Sequence, residues 1–174
     1  EFLRPHILLL EEKGYKVIYA PVDYFTGEVN VKKLEDIIAD NALLFPLVSI
    51  MMANNEIGNI YPIKEIGQIA KEHNILFHCD TVQAVGKVKI DVKDMNIDTI
   101  SISGHKINAP KGIGVLYVKN TIPFIPLIFG HQEKNYRGGT ENAPYIIGLG
   151  KAVELILNDN YEEKGAKVIF DGID

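Results

Sequence analysis

The sequence predicts an α/β protein of three layers, αβα, built around a mostly parallel sheet. Two observations carry this: apolar runs of strand length alternate with segments of helical periodicity, and neither a repeat nor a low-complexity linker interrupts the order. Strands covered on both faces read as continuous apolar runs, and helices of about ten residues between them supply the crossovers of a parallel sheet. From the amino end, Leu3 to Lys13 has helical spacing and stops at Gly14, and Tyr15 to Tyr19 alternates as a short strand. Asn30 can cap a helix over Val31 to Ala39, Leu47 to Met52 is a buried run, and Pro62 suits the first position of a helix over Ile63 to Glu72. Ile75-Leu76-Phe77 opens another apolar run. Ile97 to Ser103 and Gly114 to Val118 read as strands, and a last helix is expected from near Asn142 to Leu157.

The 174 residues fit one domain, and 47% hydrophobic with 24% charged residues suffices for a packed core. A net charge of -5 gives no general attraction to nucleic acid or anionic lipid, which leaves small-molecule chemistry as the expectation. One cysteine, Cys79, excludes an intramolecular disulfide framework and a thiolate metal cage, and it fits a reducing cytoplasm or organelle matrix. No apolar run reaches the roughly 20 residues of a membrane helix, and the first residues lack a signal-peptide plan. The start at Glu1 and the end at Asp174, which closes no element, lead us to expect a piece of a longer product.

In open parallel sheets, ligands sit beyond the carboxyl ends of the strands. The polar residues of interest follow the apolar runs in that way: Asn54-Asn55-Glu56 after the first, His78-Cys79-Asp80-Thr81-Val82-Gln83 after the second, Ser103-Gly104-His105-Lys106 after the third. A carboxylate that can face a cationic ring nitrogen, with a lysine that can form an imine, is the minimum a protein supplies for pyridoxal phosphate chemistry. A lysine is nucleophilic only when deprotonated, which partial burial and neighbouring positive charge promote. Ser103, His105 and nearby backbone N–H groups suit a phosphate. Simpler readings stand beside these: Asp80 as a turn or cap residue, Asn55 as a turn residue tolerating positive φ before Gly58, and Ser103-Gly104 as a loop. His78, Cys79, His105 and His131 match no compact zinc spacing, so no metal is expected. Met51 and Met52 read as core.

The segments ANNEIGNIYPI (53–63), FHCDTVQAVGKV (77–88), SISGHKINAPKGIGVLYV (101–118) and QEKNYRGGTENAPYIIGLGKAVEL (132–155) resemble consecutive signatures of the NifS-like cysteine desulfurases and selenocysteine lyases. These are class V aminotransferase relatives of the type I pyridoxal phosphate fold. The resemblance runs from about Leu8 to Leu155. It implies an incomplete cofactor-binding large domain over 1–157, with 158–174 a divergent tail that begins a continuation. It implies that Lys106 is the Schiff-base lysine and proton carrier, that Asp80 pairs with the pyridinium nitrogen, and that Gln83 bonds the phenolic oxygen. Asn55 would lie at that edge, beside the substrate carboxylate. Ser103 and His105 would hold the phosphate, and Thr140 would reach the phosphate of the partner subunit of a homodimer. Arg137 falls in the family's R-x-G-T loop, with a surface salt bridge as the equal alternative for its side chain, and His78 is expected to pack behind the site.

The implied activity converts cysteine, or selenocysteine, to alanine and passes the sulfur or selenium onward, in the first case to an acceptor protein in a pathway such as iron–sulfur cluster assembly. Cys79 is not at the family's nucleophile position. The nucleophilic cysteine, the arginine for the substrate carboxylate and the ring-stacking histidine are expected outside these residues, so the 174 residues alone are expected to be inactive. Where relatives carry three glycines before Gln-Glu, Phe129-Gly130-His131-Gln132-Glu133 is one residue shorter with a histidine, which would alter the approach of partner or substrate. The competing readings are another class V aminotransferase or lyase, and a non-catalytic domain that binds the cofactor or a sulfur-transfer partner.

Overall fold

The computed structural model describes residues 4–44 and 46–158; the expected tail lies outside them from residue 159. Helices α1 (Arg4–Glu12) and α2 (Val31–Asn41) lead into strand β1 (Leu47–Met51), helix α3 (Ile63–Glu72), and strands β2 (Leu76–Asp80) and β3 (Thr99–Ser103). A 3-10 turn (Gly104–Ile107), strand β4 (Gly114–Val118), the short turn α4 (Gln132–Asn135) and helix α5 (Ala143–Asn158) complete the order. The sheet is β1-β2-β3-β4, with β1, β2 and β3 parallel and β4 antiparallel to β3. The predicted α/β class with a mostly parallel sheet is the one found. Among the described residues no helix is long and apolar enough to cross a membrane.

Alternation along the strands gives the sheet two unlike faces. Val48, Ile50, Phe77, Cys79, Ile100 and Ile102 belong to the main core cluster, together with Ile63, Ile66, Ile69 and Ala70 of α3 and Leu34 and Ile38 of α2. Burying a side chain such as Phe77, which is fully inaccessible, contributes about 1.5–3 kcal/mol. Gly67 permits the close approach of α3, since a Cβ there would run into the Met95 carbonyl and crowd the Phe77 ring. The other face carries Ser49, His78, Asp80, Thr99, Ser101 and Ser103, none of them fully buried. A second cluster joins Leu149 and Ala152 of α5 to Ile107 and Ala109, with Val85, Ile113 and Ile156 packed around them.

Most boundaries follow the sequence reading. Asn30 caps α2, its Oδ1 accepting the Lys33 N–H at 3.0 Å. Pro62 sits one place earlier than expected, at the N-cap of α3, where its carbonyl accepts the Ile66 N–H at 3.1 Å. Tyr15 to Tyr19 is not a strand: alternation supplies no hydrogen-bonded neighbour, and Tyr15 and Tyr19 remain 65% and 64% exposed. β3 begins at Thr99 rather than Ile97, because Ile97 closes a turn by donating to Val92 and Asp98 serves as a staple. The Asp98 carboxylate accepts the Phe77 N–H at 3.1 Å and pairs with Lys119 at 3.1 Å, tying the start of β3 to β2 and to the segment after β4.

Candidate active site

Because β1, β2 and β3 are parallel and in register, with Met51 opposite Asp80 and Asp80 opposite Ser101, their carboxyl ends share one edge of the sheet. The segments bearing Asn55, then Asp80 and Gln83, then Ser103, His105 and Lys106 all leave from that edge. The segments singled out in the sequence thus start from one edge of the sheet.

Asp80 is held on both sides of its Cα. Its Oδ1 accepts the Val82 N–H at 2.9 Å, and its backbone carbonyl accepts the Met52 N–H at 2.8 Å. Thr81, passed over in the sequence reading, is the one fully buried polar residue among those described; its N–H and hydroxyl both donate to the Ser101 carbonyl, at 3.1 and 2.9 Å. A threonine directly after a strand-end aspartate was the available signal. Gln83, half-buried, lies in the turn that Thr81 starts by accepting the Ala84 and Val85 N–H groups.

After β3 the chain bends sharply. Gly104 donates to the Ile113 carbonyl at 2.9 Å, and a Cβ at Gly104 would stand 2.7 Å from Ile113 Cγ2, so only glycine lets His105 and Lys106 follow Ser103 at once. Ser103 Oγ lies 2.9 Å from His105 Nδ1, and Asn108, with φ 64°, closes the turn. Ser103-Gly104 is therefore an ordered bend rather than a loose loop. Lys106 is exposed. Asn55 is exposed too, and the turn there is made by its neighbour: Asn54 Oδ1 accepts the Glu56 and Ile57 N–H groups at 2.8 and 3.3 Å. That leaves Asn55 outside the group of residues at positive φ.

Arg137 and Thr140 stand apart. Both are exposed, and among the described residues no hydrogen bond or ion pair links either side chain to the strand ends. Their segment closes on itself: Gly138 donates to Ile128 at 2.8 Å, and Gly130 packs backbone to backbone against Gly138, where neither could carry a side chain. The shortened stretch is thus a tight loop. Glu133, Lys134 and Asn135 follow at φ 48°, 59° and 70°, a left-handed run that costs roughly 1–2 kcal/mol per residue for L side chains other than Asn. A cleft of about 680 Å³ between α3 and the 88–96 segment is lined by Glu35, Tyr61, Gln68, Asp94 and Asn96, and by none of the strand-end residues Asn55, Asp80, Gln83, Ser103, His105 or Lys106. Among the described residues no three His, Cys, Asp or Glu side chains gather as a metal site requires.

The aminotransferase class-V family profile matches residues 4–168. The chain belongs to the aminotransferase class-V family. It is similar to cysteine desulfurase IscS of Clostridium botulinum (strain Hall), 54% identical over 155 residues, which cover 88% of this chain and 38% of that protein. A solved structure of SspA in complex with cysteine superposes at TM-score 0.80 with 44% identity, over 87% of this chain and 44% of that one. A NifS-like protein superposes at 0.81 with 39% identity, over 88% of this chain and 42% of that one. The chain therefore spans well under half the length of the relatives it matches.

Two titratable groups of this class-V chain stand out beside the edge. Lys87 is half-buried; burial lowers its pKa and the charge of Lys106 lowers it further, which places the two ammonium groups within electrostatic reach of each other. The sequence reading missed it, because a lysine after Gly86 looks like any solvated lysine. Cys79 is fully buried, and its pKa is pushed up to about 12 by burial first and the Asp80 charge second. At pH 8 the thiolate fraction is on the order of 10⁻⁴, and only the thiolate is nucleophilic. Iodoacetamide at pH 8 is therefore expected to spare Cys79 in the folded full-length protein and to label it in urea. Peptide mass spectrometry reads both, and labelling without denaturant would show that the core opens.

Proposed function

We propose that the full-length protein is a pyridoxal-phosphate-dependent cysteine desulfurase, which breaks the Cβ–S bond of cysteine, releases alanine and leaves the sulfur on a protein thiol as a persulfide. The observation that carries this reading is the donor set on one sheet edge: a carboxylate, a carboxamide, a hydroxyl–imidazole pair and a lysine, in a class-V chain similar to cysteine desulfurases.

The donor set fits the cofactor. Val82 occupies Asp80 Oδ1, leaving the second oxygen to accept from a protonated ring nitrogen. The Ser103–His105 pair keeps one donor in either arrangement: if the hydroxyl donates to Nδ1, the ring carries its proton on Nε2, and if Nδ1 donates, the hydroxyl proton turns outward. Both arrangements suit a phosphate. When bound, the cofactor supplies the electron sink. Lys106 would hold its aldehyde carbon and would move a proton at the substrate Cα, and Gln83 would donate its amide to the phenolic oxygen. Asn55 would lie at that edge, next to the substrate carboxylate. Thr140, exposed on the far loop, is free to reach the phosphate of a partner subunit in a homodimer. Cys79 does not take the sulfur, because it is closed in the core.

The test uses the purified full-length protein with L-cysteine and a thiol reductant, measuring alanine and sulfide. Equal amounts of the two, from a protein with a visible cofactor absorption, are expected. Formation of a keto acid instead moves the chain to another class-V activity, and turnover of selenocysteine but not cysteine moves it to a lyase. A colourless protein that binds no pyridoxal phosphate overturns the reading.

A further inference from the structure

β2 sends two polar side chains to the same side of the sheet, His78 and Asp80, two residues apart. The His78 ring spans three strands. Its Nδ1 lies 2.8 Å from Ser49 Oγ on β1, and its Nε2 lies 2.9 Å from Ser101 Oγ on β3. Ser101 is the register partner of Asp80, and its carbonyl takes both bonds from Thr81. The residue before the Asp80–Ser101 rung on this face and the residue just after Asp80 are thus fastened to the same serine. Asp80 sits between the two fastenings.

We propose that His78 is a positioning residue for Asp80: the Ser49–His78–Ser101 array fixes the end of β2 so that the Asp80 carboxylate faces the ring nitrogen of the cofactor. This rests on the cofactor reading given above. An imidazole is an expensive filler for a half-buried face unless both nitrogens are bonded, and here both are. Each serine hydroxyl can donate or accept, so the ring is held in either tautomer and does not turn. Burial lowers the His78 pKa while the Asp80 charge raises it, burial being the larger effect. A neutral imidazole leaves the Asp80 charge uncompensated along the strand, to be matched by a ring cation.

The experiment is a double-mutant cycle in the full-length holoenzyme: His78→Leu, Asp80→Asn and both together. Its readouts are the dissociation constant for pyridoxal phosphate and the position of the bound cofactor's visible absorption. His78→Leu alone is expected to weaken cofactor binding on the order of 10-fold, as loss of an outer partner does, and to move the absorption in the same direction as Asp80→Asn. In the Asp80→Asn background the same change is expected to add no further loss, because its route to the cofactor is already cut. His78→Gln, whose carboxamide can still bond the two hydroxyls, is expected to recover part of the affinity and guards against a variant that fails to fold. Equal losses from His78→Leu in both backgrounds overturn the positioning role, as does an unmoved absorption with unchanged affinity. Failure of the wild-type protein to bind pyridoxal phosphate instead overturns the cofactor reading, and this inference with it.

Discussion

Lys106→Ala is expected to remove cysteine turnover, by on the order of 10⁴-fold or more, while leaving the fold intact. The size follows from the proposed role: a residue that is both the covalent anchor and the proton carrier has no substitute, and deleting a nucleophile of that kind in other enzymes costs a comparable factor. The neutrality for stability follows from the structure. Lys106 is exposed, and among the described residues its ammonium makes no hydrogen bond or ion pair. Its turn is held instead by the Gly104 N–H on Ile113, by the Ala109 N–H on Gly104, and by the buried side chain of Ile107 beneath it. A surface substitution away from such features changes stability by less than about 0.5 kcal/mol. Alanine production by the holoprotein and the thermal midpoint of the cofactor-free protein check the two halves, because bound cofactor itself raises the midpoint. A variant that loses its midpoint along with its activity would make Lys106 a structural residue, and one that keeps activity would remove it from the site.

The parts of this molecule legible in the sequence are those fixed by local rules. α3 is the clearest, because Ile63, Ile66, Ile69 and Ala70 set a helical stripe that no strand could bury, and β4 was bounded by glycine and by its own apolar run. The strand ends bearing Asp80 and Lys106 were legible for the same reason: polar residues at the close of apolar runs have few other places to be. What the sequence left out depends on partners across the sheet. Tyr15 to Tyr19 has the pattern of a strand and no neighbour to make it one. The antiparallel sense of β4 does not follow from its apolar run. Ser49 and Ser101, separated by two crossovers, meet the same histidine only because the register of β1, β2 and β3 brings them there. Asn55 and Asn54 are equally good turn formers on paper, and only the hydrogen bonds show that Asn54 makes the turn. The approach of Thr140 to a partner subunit, expected from resemblance, depends on a second chain rather than on local rules.

Asp80 has two roles in this structure that substitution can separate, and this gives the second large effect. Its charge is proposed to hold the ring proton, and its Oδ1 accepts the Val82 N–H as β2 turns away from the sheet. Asp80→Asn keeps an acceptor for Val82 and discards the charge, whereas Asp80→Ala discards both. Both variants are expected to lower kcat for alanine formation on the order of 10³-fold, since a charge aimed at the reacting system in a shielded site commonly carries that much. They should differ in stability: near wild type for Asn, and about 1 kcal/mol weaker for Ala, the usual cost of losing a side-chain cap. Denaturant midpoints measure the second difference and steady-state assays the first. The neighbours supply an independent check with a fixed sign. The Asp80 charge raises the pKa of His78 against the lowering by burial, so removing it must lower the His78 pKa further, and must also bring Cys79 down from about 12. A ring titration of His78 that moves upward in Asp80→Asn is incompatible with the Asp80 charge beside it, and a kcat left at the wild-type value overturns the proposed role of that charge.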